Sequence, residues 1–512
     1  MNLVSAVGMT ARLFWLIPVL VISCTIDAPR PVTTGGGGSP DLPSGRGGAD
    51  ISGFGGAGRT PSSGAAGASG ASGAAGTAGG PWTIGGTGSP FTPGPCADIF
   101  TDDLYPTYEL QIAPAEWDAL VNDFNTMVQN ITDKKNYHPY RALAEFRYGN
   151  EVVTNALIRL KGWSSWWQAA DDKPPKMQFV IAFNEIDGND RFHKQRKIEL
   201  DMPRIDPTYL HQRISLAYLR ALGLPAQCAN SARVFINGAF YGLFTNMERP
   251  DKEFIRRLFP GADRGDLWDG GWELATNEDT MGLPHPRLDA FWAATTPEAT
   301  AAIADMDEAL LEWAAEAMLA DPDGYWIGHW NWFIYDHPDR GWLWIPHDFD
   351  VVINWTDPRI DPMYYWNGDT GWATPRQHYL GVIKDRAWNE RYVAALRRAH
   401  EAYTAAQLPE MLDRFAAQVR DAAAADPTRP FSFDDHLREV AYLRQSFTTR
   451  GDSVRAWLDC RAAPDSALDA DGDGRPFCMD CKDSDPATYP GAVEICGDGR
   501  DQDCDGTDPP CN

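Results

Sequence analysis

Basic residues are scarce in this chain. Its 512 residues include 45 Lys and Arg against 71 Asp and Glu, which gives a formal net charge of −26. Nucleic-acid binding needs a concentrated positive surface, so this balance argues against a nucleic-acid partner. The sequence also lacks a Walker loop, a GxSxG nucleophile elbow and an HExxH zinc motif. P-loop, α/β-hydrolase and zincin chemistry are therefore not indicated.

Large apolar side chains are nearly missing between Pro31 and Pro95. These 65 residues hold 22 of the 47 glycines, and Ala, Ser, Thr and Pro supply most of the rest. Such a segment buries too little apolar surface to offset the entropy lost on ordering. We interpret residues 25–95 as a disordered tether, which as a flexible coil would span roughly 45 Å.

The apolar run near the amino terminus, Leu13–Ile22, is too short to span a bilayer and has the form of a secretory signal. The Val-Ile-Ser-Cys sequence that ends at Cys24 resembles a bacterial lipobox, in which the cysteine carries lipid after cleavage. We predict that residues 1–24 are a lipoprotein signal peptide. The protein would then be exported and anchored through Cys24 to the periplasmic face or the cell surface. An ordinary signal peptide with an incidental Cys24 is the alternative.

Eight further cysteines form an even set, and six of them lie in the last 53 residues. Such density in an apolar-poor segment indicates a disulfide framework formed in an oxidising compartment. A zinc site built on Cys478 and Cys481 is disfavoured, because no second ligand pair follows and the neighbours are aspartates. Cys96 and Cys228 remain as a candidate pair, and the sequence alone fixes no connectivity.

The acidic tail carries carboxylates at alternate positions. Asp469, Asp471 and Asp473, with Gly472 permitting the sharp turn, match the first half of a calcium loop. The bidentate Glu of an EF-hand is missing, and the segment instead resembles a short metal-binding repeat of secreted myxobacterial proteins. We predict a Cys/Asp-rich calcium-binding module over residues 461–512. The alternative is a solvated acidic tail with structural disulfides and no ion. Two further aspartate clusters follow: Asp480, Asp483 and Asp485, then Asp501, Asp503 and Asp505.

The pattern of residues 96–460 predicts an α+β domain in which a mostly antiparallel sheet precedes a helix-rich half. Period-two alternation at Tyr108–Ala113 predicts a strand, and Pro114 opens a helix. The dipeptide Asn237-Gly238 predicts a hairpin turn. Two lobes with a cleft between them are expected. Three further elements are predicted: a hairpin within residues 142–160 that turns at Gly149, a helix at residues 210–221 with Pro207 in its first turn and Gly223 at its end, and a hairpin at residues 332–344.

A polar cluster stands within aromatic sequence in the second half. Asp323 follows a predicted helix, Asn331 comes eight residues later, and Asp348 and Asp350 leave an apolar strand. Carboxylates at such a place cost desolvation energy unless something pairs them. Carboxylate and amide oxygens on Mg²⁺ are what phosphoryl transfer requires. Aspartates that only cap turns are the alternative.

A series of motifs follows in one order across about residues 100–455. They are ALIRLKG at 156–162, KPPK at 173–176, DPTYL at 206–210, GLPA at 223–226, ING at 236–238, YGLF at 241–244, Glu248 and PHDFD at 346–350. Together these motifs resemble the CotH kinase family, the spore coat protein H type of atypical secreted kinase. The resemblance implies a two-lobed protein-kinase-like fold and transfer of the ATP γ-phosphoryl group to protein Ser or Thr with Mg²⁺ or Mn²⁺.

The resemblance also implies a role for each matching residue. Asp323 would be the catalytic base that orients the acceptor hydroxyl. Lys161 and Lys176 are both candidates for the phosphate-binding cation, and the choice stays open. Glu248 would lie in the hinge between the lobes and contact adenine through backbone groups. The metal ligands implied are Asn331, Asp348 and Asp350.

We therefore predict a secreted, lipid-anchored CotH-type Ser/Thr kinase with ATP, Mg²⁺ or Mn²⁺ and tail-bound Ca²⁺ as cofactors. Its partners would be an unidentified protein substrate and, through the lipid, a membrane. The helix after Asp206 carries His211 and Gln212, so it offers no evident acidic partner for the lysine. The alternative function is a catalytically inactive kinase-like module that binds a partner or glycan at the cell surface.

Overall fold

We describe the protein from a computed structural model. It describes residues 93–126, 139–162, 175–202, 205–328, 330–353, 356–363, 376–504, 508–509 and 511. The signal peptide, Cys24 and nearly all of the predicted tether lie outside these residues, and so does Asp505. Within them, no helix combines the length and the apolar character that a bilayer crossing requires.

A nine-stranded sheet forms the first half of the fold, with the strand order β2-β5-β6-β7-β9-β8-β1-β3-β4. All its pairings are antiparallel except that of β1 with β8. The strands are β1 (Thr107–Gln111), β2 (Arg141–Ala142), β3 (Glu145–Tyr148), β4 (Glu151–Val153), β5 (Leu157–Leu160), β6 (Phe179–Ala182), β7 (Lys197–Asp201), β8 (Ala229–Ile236) and β9 (Ala239–Glu248).

The sheet curls on itself. Only Leu143 and Ala144 separate β2 from β3, yet β2 lies at one end of the strand order and β3 next to the other end. The Leu143 N–H donates to Ala156 O at 3.1 Å, and the Ala144 N–H donates to Gln111 O at 2.7 Å. These two hydrogen bonds bring both ends of the sheet together around the buried core.

The predicted hairpins are confirmed with one difference. Asn237 and Gly238 have φ values of 51° and 83°, so the β8–β9 turn uses the left-handed region that this dipeptide tolerates. The earlier turn at Gly149 is also present, but β4 is short. Leu157–Leu160 forms a separate strand that pairs with β6, because the chain leaves the β3–β4 edge after Val153.

Helix α1 (Pro114–Asn125) begins at the predicted proline, and α2 (His211–Leu222) ends at Gly223, which has φ of 87°. The prediction that Pro207 lies in the first turn of α2 is wrong. Tyr209 has φ of 62°, which an α-helix does not allow, so residues 206–210 form a separate turn. The Asp206 carboxylate holds this turn by accepting hydrogen bonds from the N–H groups of Thr208 at 2.8 Å and His211 at 3.1 Å.

The second half is mainly helical and contains a four-stranded sheet with the order β11-β10-β12-β13. Its core is aromatic: Trp313, Trp326, Trp332 and Trp344 are fully buried. The predicted α+β fold class is confirmed. The elements are α3 (Lys252–Leu258), β10 (Leu267–Asp269), β11 (Glu273–Leu274), α4 (Pro286–Ala293), α5 (Pro297–Ala301), α6 (Met306–Leu319), β12 (Trp332–His337), β13 (Gly341–Pro346), α7 (Gln377–Lys384), α8 (Arg386–Ala406), α9 (Leu408–Ala425) and α10 (Phe433–Ala462).

The predicted disulfide framework is confirmed. Cys96 pairs with Cys228, and this bond joins the start of the domain to the strand β8 region. Cys478 and Cys481 enter different disulfides, so their sulfurs cannot serve a zinc ion as a thiolate pair. The tail disulfides are Cys460–Cys478, Cys481–Cys504 and Cys496–Cys511.

Candidate active site

Lys161 directly follows β5 and is buried against the acidic face of β7. Its Nζ atom lies 2.7 Å from Asp201 Oδ1 and 3.8 Å from Glu199 Oε2. Residues 199 and 201 alternate along one strand, so their side chains share one face of the sheet. The lysine therefore has acidic partners, but they come from a strand and not from the helix. Sequence reasoning missed them, although acids that alternate with the apolar Ile198 and Leu200 were a visible signal.

Lys176 is engaged elsewhere. Its ammonium forms a buried ion pair with Asp426 and lies 4.4 Å from the centroid of the Phe244 ring. Burial lowers the pKa of Lys176 to about 8, although the neighbouring Asp426 acts in the opposite direction. Asp426 also accepts a hydrogen bond from the Leu243 N–H at 2.8 Å. Asp426 thus fastens both the segment before β6 and strand β9 to the connection between α9 and α10.

Asp348 lies just after β13 and has a left-handed φ of 57°, which aspartate tolerates better than most residues. The Gln212 side chain of α2 holds this turn from the other half of the fold. Its Nε2 donates to Asp348 Oδ1, and its Oε1 accepts from the Phe349 N–H at 3.0 Å. Burial raises the pKa of Asp348, and nearby Lys161 opposes that rise.

Asp323 and Asn331 are joined to the Asp348 turn by hydrogen bonds. The Asp323 carbonyl accepts from the Asn331 N–H at 3.0 Å, and Asn331 Nδ2 donates to Asp348 O at 3.3 Å. Burial, with a smaller contribution from Asp348, raises the pKa of Asp323 to about 6. The structure thus brings three of the predicted residues into one connected network next to Lys161.

The carboxylate and amide oxygens of this network are the types of ligand that a divalent cation prefers. Asn331 Oδ1 is buried and accepts no hydrogen bond from the residues that the structure describes, so an amide oxygen is available there as a ligand. Burial, with repulsion from Asp348, raises the pKa of Asp350 well above its usual range, and a cation would relieve that repulsion. Asp323, Asp348 and Asp350 do not, however, form a group with ligand atoms within 4.8 Å of one another. All three such groups among the described residues lie in the tail.

Glu248 ends β9 and is fully buried. Its carboxylate accepts hydrogen bonds from Arg257 Nη2 at 2.6 Å and from the Cys228 N–H at 3.1 Å. Its own N–H donates to Cys228 O, and its carbonyl accepts from Gln227 Nε2 at 2.6 Å. Both main-chain groups are therefore used within the protein. The Glu248 carbonyl oxygen can accept a second hydrogen bond, so an adenine contact through backbone groups stays a prediction.

The acidic residues of the tail form three groups. The predicted Asp469, Asp471 and Asp473 do not make up one group: Asp469 and Asp473 lie in different groups, and Asp471 belongs to both. Asp480 is 2% exposed, and burial raises its pKa to about 6 with the help of Asp473. The groups are Asp469 with Asp471 and Asp483, Asp471 with Asp473 and Asp480, and Glu494 with Asp501 and Asp503.

An α+β fold with a buried lysine–acid pair beside an Asp-Asn-Asp network has the organisation of a kinase-like protein. Residues 158–282 match the family model of the CotH kinase protein, and residues 480–509 match the Cu-binding MopE metal-binding motif. The chain thus contains a region similar to the CotH kinase protein family, followed by a region similar to a MopE-type metal-binding motif. The CotH match includes Lys161, Lys176 and Glu248 and ends before Asp323.

Two relatives from Rhizopus delemar are similar to part of the chain. Invasin CotH3 is 28% identical over 205 residues, which cover 34% of this chain and 33% of the relative. Invasin CotH2 is 25% identical over 201 residues, which cover 33% of this chain and 34% of the relative. The matched region thus spans about a third of the length of each of these curated relatives.

Proposed function

We propose that this protein is a kinase that transfers the γ-phosphoryl group of ATP to Ser or Thr of an exported or surface protein. The observation that carries the proposal is the placement of Lys161 beside the Asp348 turn, with Gln212 joining the two halves of the fold at that point. A cation facing a carboxylate-and-amide set is the arrangement that positions nucleotide phosphates with a metal.

Each residue has one task in this proposal. Lys161 neutralises phosphate oxygens, and Asp201 and Glu199 hold its ammonium in place. Asn331 and Asp348, with Asp350, are the ligands for Mg²⁺ or Mn²⁺, which would neutralise charge on the phosphates. Asp323 accepts the proton of the acceptor hydroxyl, for which its raised pKa of about 6 is suited near neutral pH.

The test is phosphate transfer from labelled ATP with Mn²⁺ by the full-length chain, compared with the variant Asp348→Asn. Asparagine tolerates the left-handed backbone and retains the contact with Gln212, so only the charge is lost. We expect at least about a 100-fold loss of transfer. Asp339→Asn, in the exposed turn of the same β12–β13 hairpin, is the matched control and should transfer at the wild-type rate.

A second candidate function is an adhesion or binding module without phosphotransfer. Both relatives are named invasins, and the carboxylates of the site do not converge on one point. If wild-type protein transfers no phosphate and ATP with Mn²⁺ does not raise its melting temperature, this second function replaces the first.

We propose further that the protein is exported and lipid-anchored, and that its tail binds Ca²⁺. The four disulfides support an oxidising location. All three acidic groups offer only oxygen ligands, which suit hard cations. If Cys24 carries lipid, Cys24→Ser releases the protein from the membrane fraction, and unchanged membrane association contradicts the anchor.

A further inference from the structure

Helix α6 buries three glutamates on one side, at positions 308, 312 and 316. All three are less than a tenth exposed, and Glu312 and Glu316 are fully buried. Their spacing of four residues places them along one face of the helix. Burying a carboxyl group without hydrogen bonds costs free energy, so each one requires a partner. The partners of Glu316 lie in the segment that carries Asp323.

The turn after α6 is built around the Glu316 carboxylate. Its Oε2 atom accepts a hydrogen bond from the Trp326 N–H at 2.7 Å. Gly324 passes so close that a Cβ atom there would lie 2.5 Å from the carboxyl carbon of Glu316. A side chain at position 324 would therefore force either the Glu316 carboxylate or the turn to shift. Asp323 is the residue immediately before this close approach.

A second buried glutamate of α6, Glu312, lies next to Glu316. None of the N–H or O–H groups in the described part of the chain donates to either of its carboxyl oxygens. Burial, together with the adjacent Glu316, raises the pKa of Glu312 well above its usual range. The raised pKa favours the protonated form of Glu312, in which its O–H group can donate to the adjacent Glu316 carboxylate. Glu316 keeps its acceptor oxygens directed toward the turn.

The opposite side of the turn is held by α7. The Tyr325 hydroxyl donates to His378 Nδ1 at 2.7 Å, and Trp326 Nε1 donates to the Tyr379 hydroxyl at 3.1 Å. His378 can accept because its Nε2 faces Phe291 O at 3.1 Å and donates to it. The residues that directly follow Asp323 are thus fixed between two helices.

We propose that Glu316 is a positioning residue for Asp323: its carboxylate, buried beneath Gly324 and bonded to the Trp326 N–H, sets the turn that presents Asp323 to the acceptor hydroxyl. The catalytic consequence rests on the proposed kinase function. The conformation of the turn does not, and it can be measured without ATP.

The test is hydrogen–deuterium exchange of residues 321–328 in the full-length chain. Glu316→Leu removes the acceptor, so exchange there should become at least about fivefold faster. Glu308→Leu removes a buried glutamate of the same helix that instead accepts from the Trp344 N–H at 3.1 Å, and it should leave this segment unchanged. Unchanged exchange in Glu316→Leu overturns the proposal.

Two further variants keep the test decisive if Glu316→Leu does not fold. Glu316→Gln retains an acceptor oxygen and should keep exchange near the wild-type rate. Gly324→Ala places a methyl group against the carboxylate and should accelerate exchange as Glu316→Leu would. Two outcomes would contradict the proposal that the Glu316 acceptor supports the turn. One is that Glu316→Gln accelerates exchange as much as Gly324→Ala does, and the other is that Gly324→Ala leaves exchange unchanged.

Phosphate transfer separates this proposal from the proposed function. With an active wild-type enzyme, Gly324→Ala should lower kcat about 100-fold, as expected for a misplacement of roughly 1 Å, and should leave the KM for ATP nearly unchanged. A rise of about 100-fold in the KM for ATP, with kcat unchanged, would instead show that Gly324 and Glu316 act in nucleotide binding. If wild-type protein transfers no phosphate, the kinase function fails, while the exchange data still decide the role of Glu316 in the turn.

Discussion

At the scale of single residues, two buried lysines have different surroundings. Lys161 lies between two acids of β7 and influences the pKa of Asp348. Lys176 faces one acid and an aromatic ring. Each ammonium is paired, so each substitution leaves a buried carboxylate without its counter-charge. Only the Lys161 substitution should also affect a nucleotide.

We expect Lys161→Met to abolish the rise in melting temperature that ATP with Mn²⁺ produces, and Lys176→Met to retain it. Both variants should lose about 3–5 kcal/mol of unfolding free energy, because each removes one partner of a buried ion pair. Denaturant unfolding and thermal shift with and without nucleotide measure the two effects. Retained nucleotide stabilisation in Lys161→Met would exclude that lysine as the phosphate-binding cation.

Lys176 should also give a measurable pH dependence. Burial lowers its pKa from 10.5 to about 8, so between these values the unfolded chain holds a proton that the folded chain has lost. The unfolding free energy due to this group is constant below about pH 8 and rises with pH above it, by at most about 1.4 kcal/mol per pH unit. The wild type should therefore gain stability relative to Lys176→Met between about pH 8 and 10. A constant difference across that range would contradict the lowered pKa.

At the scale of elements, the turn of the β8–β9 hairpin is bonded to the residue that follows the neighbouring strand β1. Asn237 has a left-handed φ, and its side chain both accepts from the Ile112 N–H at 2.9 Å and donates to Ile112 O at 3.0 Å. One turn residue thus fixes the hairpin and the end of the segment that follows β1. The second turn residue, Gly238, has only a backbone requirement.

Gly238→Ala should therefore lower the unfolding free energy by about 1–2 kcal/mol, because an L-residue is strained at φ of 83°. The surroundings of Gly238 are open, so no steric contact adds to this cost. Gly188→Ala is the matched control, since its surroundings are also open and its φ is not left-handed. Urea unfolding should give a lower unfolding free energy for Gly238→Ala than for Gly188→Ala. Equal values would show that the turn adopts another backbone conformation without strain.

The elements that the sequence predicted well are those with local causes. The Asn237-Gly238 turn and the helix end at Gly223 follow from backbone preferences of a few adjacent residues. The start of α2 was not predictable in this way, because it depends on the turn at Tyr209 and on the hydrogen bonds of Asp206. The partners of Lys161 and Lys176 were not predictable either. Asp426 lies 250 residues after Lys176, and no local preference connects them.

At the scale of the whole molecule, the tail differs from the rest of the chain in its acidic charge and is joined to it by a disulfide. Of the −26 net charge, −9 falls within residues 461–512. The Cys460–Cys478 disulfide joins that segment to the end of α10. The tail is thus attached to the domain that precedes it, and its acids are held close together in three groups. Bound Ca²⁺ would reduce their repulsion.

We expect the full-length chain to bind Ca²⁺ at micromolar to millimolar concentrations, with a rise in melting temperature that EDTA reverses. Asp471 belongs to two of the three acidic groups, so Asp471→Asn should weaken more of the binding than Glu494→Gln, which affects only the third group. Isothermal titration gives the stoichiometry of each variant. If both variants lose the same amount of Ca²⁺ binding, Asp471 is not shared between two sites. If the wild type gives no heat of binding, the tail is an acidic segment held by disulfides without a bound ion.

The sequence by itself determined the class of fold, the disulfide-rich acidic tail and the residue types of the candidate site, because periodicity, turn residues and charge density act over short stretches of chain. Only the tertiary structure decided that Lys161 pairs with β7, that Gln212 reaches Asp348, and that Glu316 supports the turn of Asp323. These contacts join distant segments inside a low-dielectric core. There the partner of each charge is set by which strands and helices pack together.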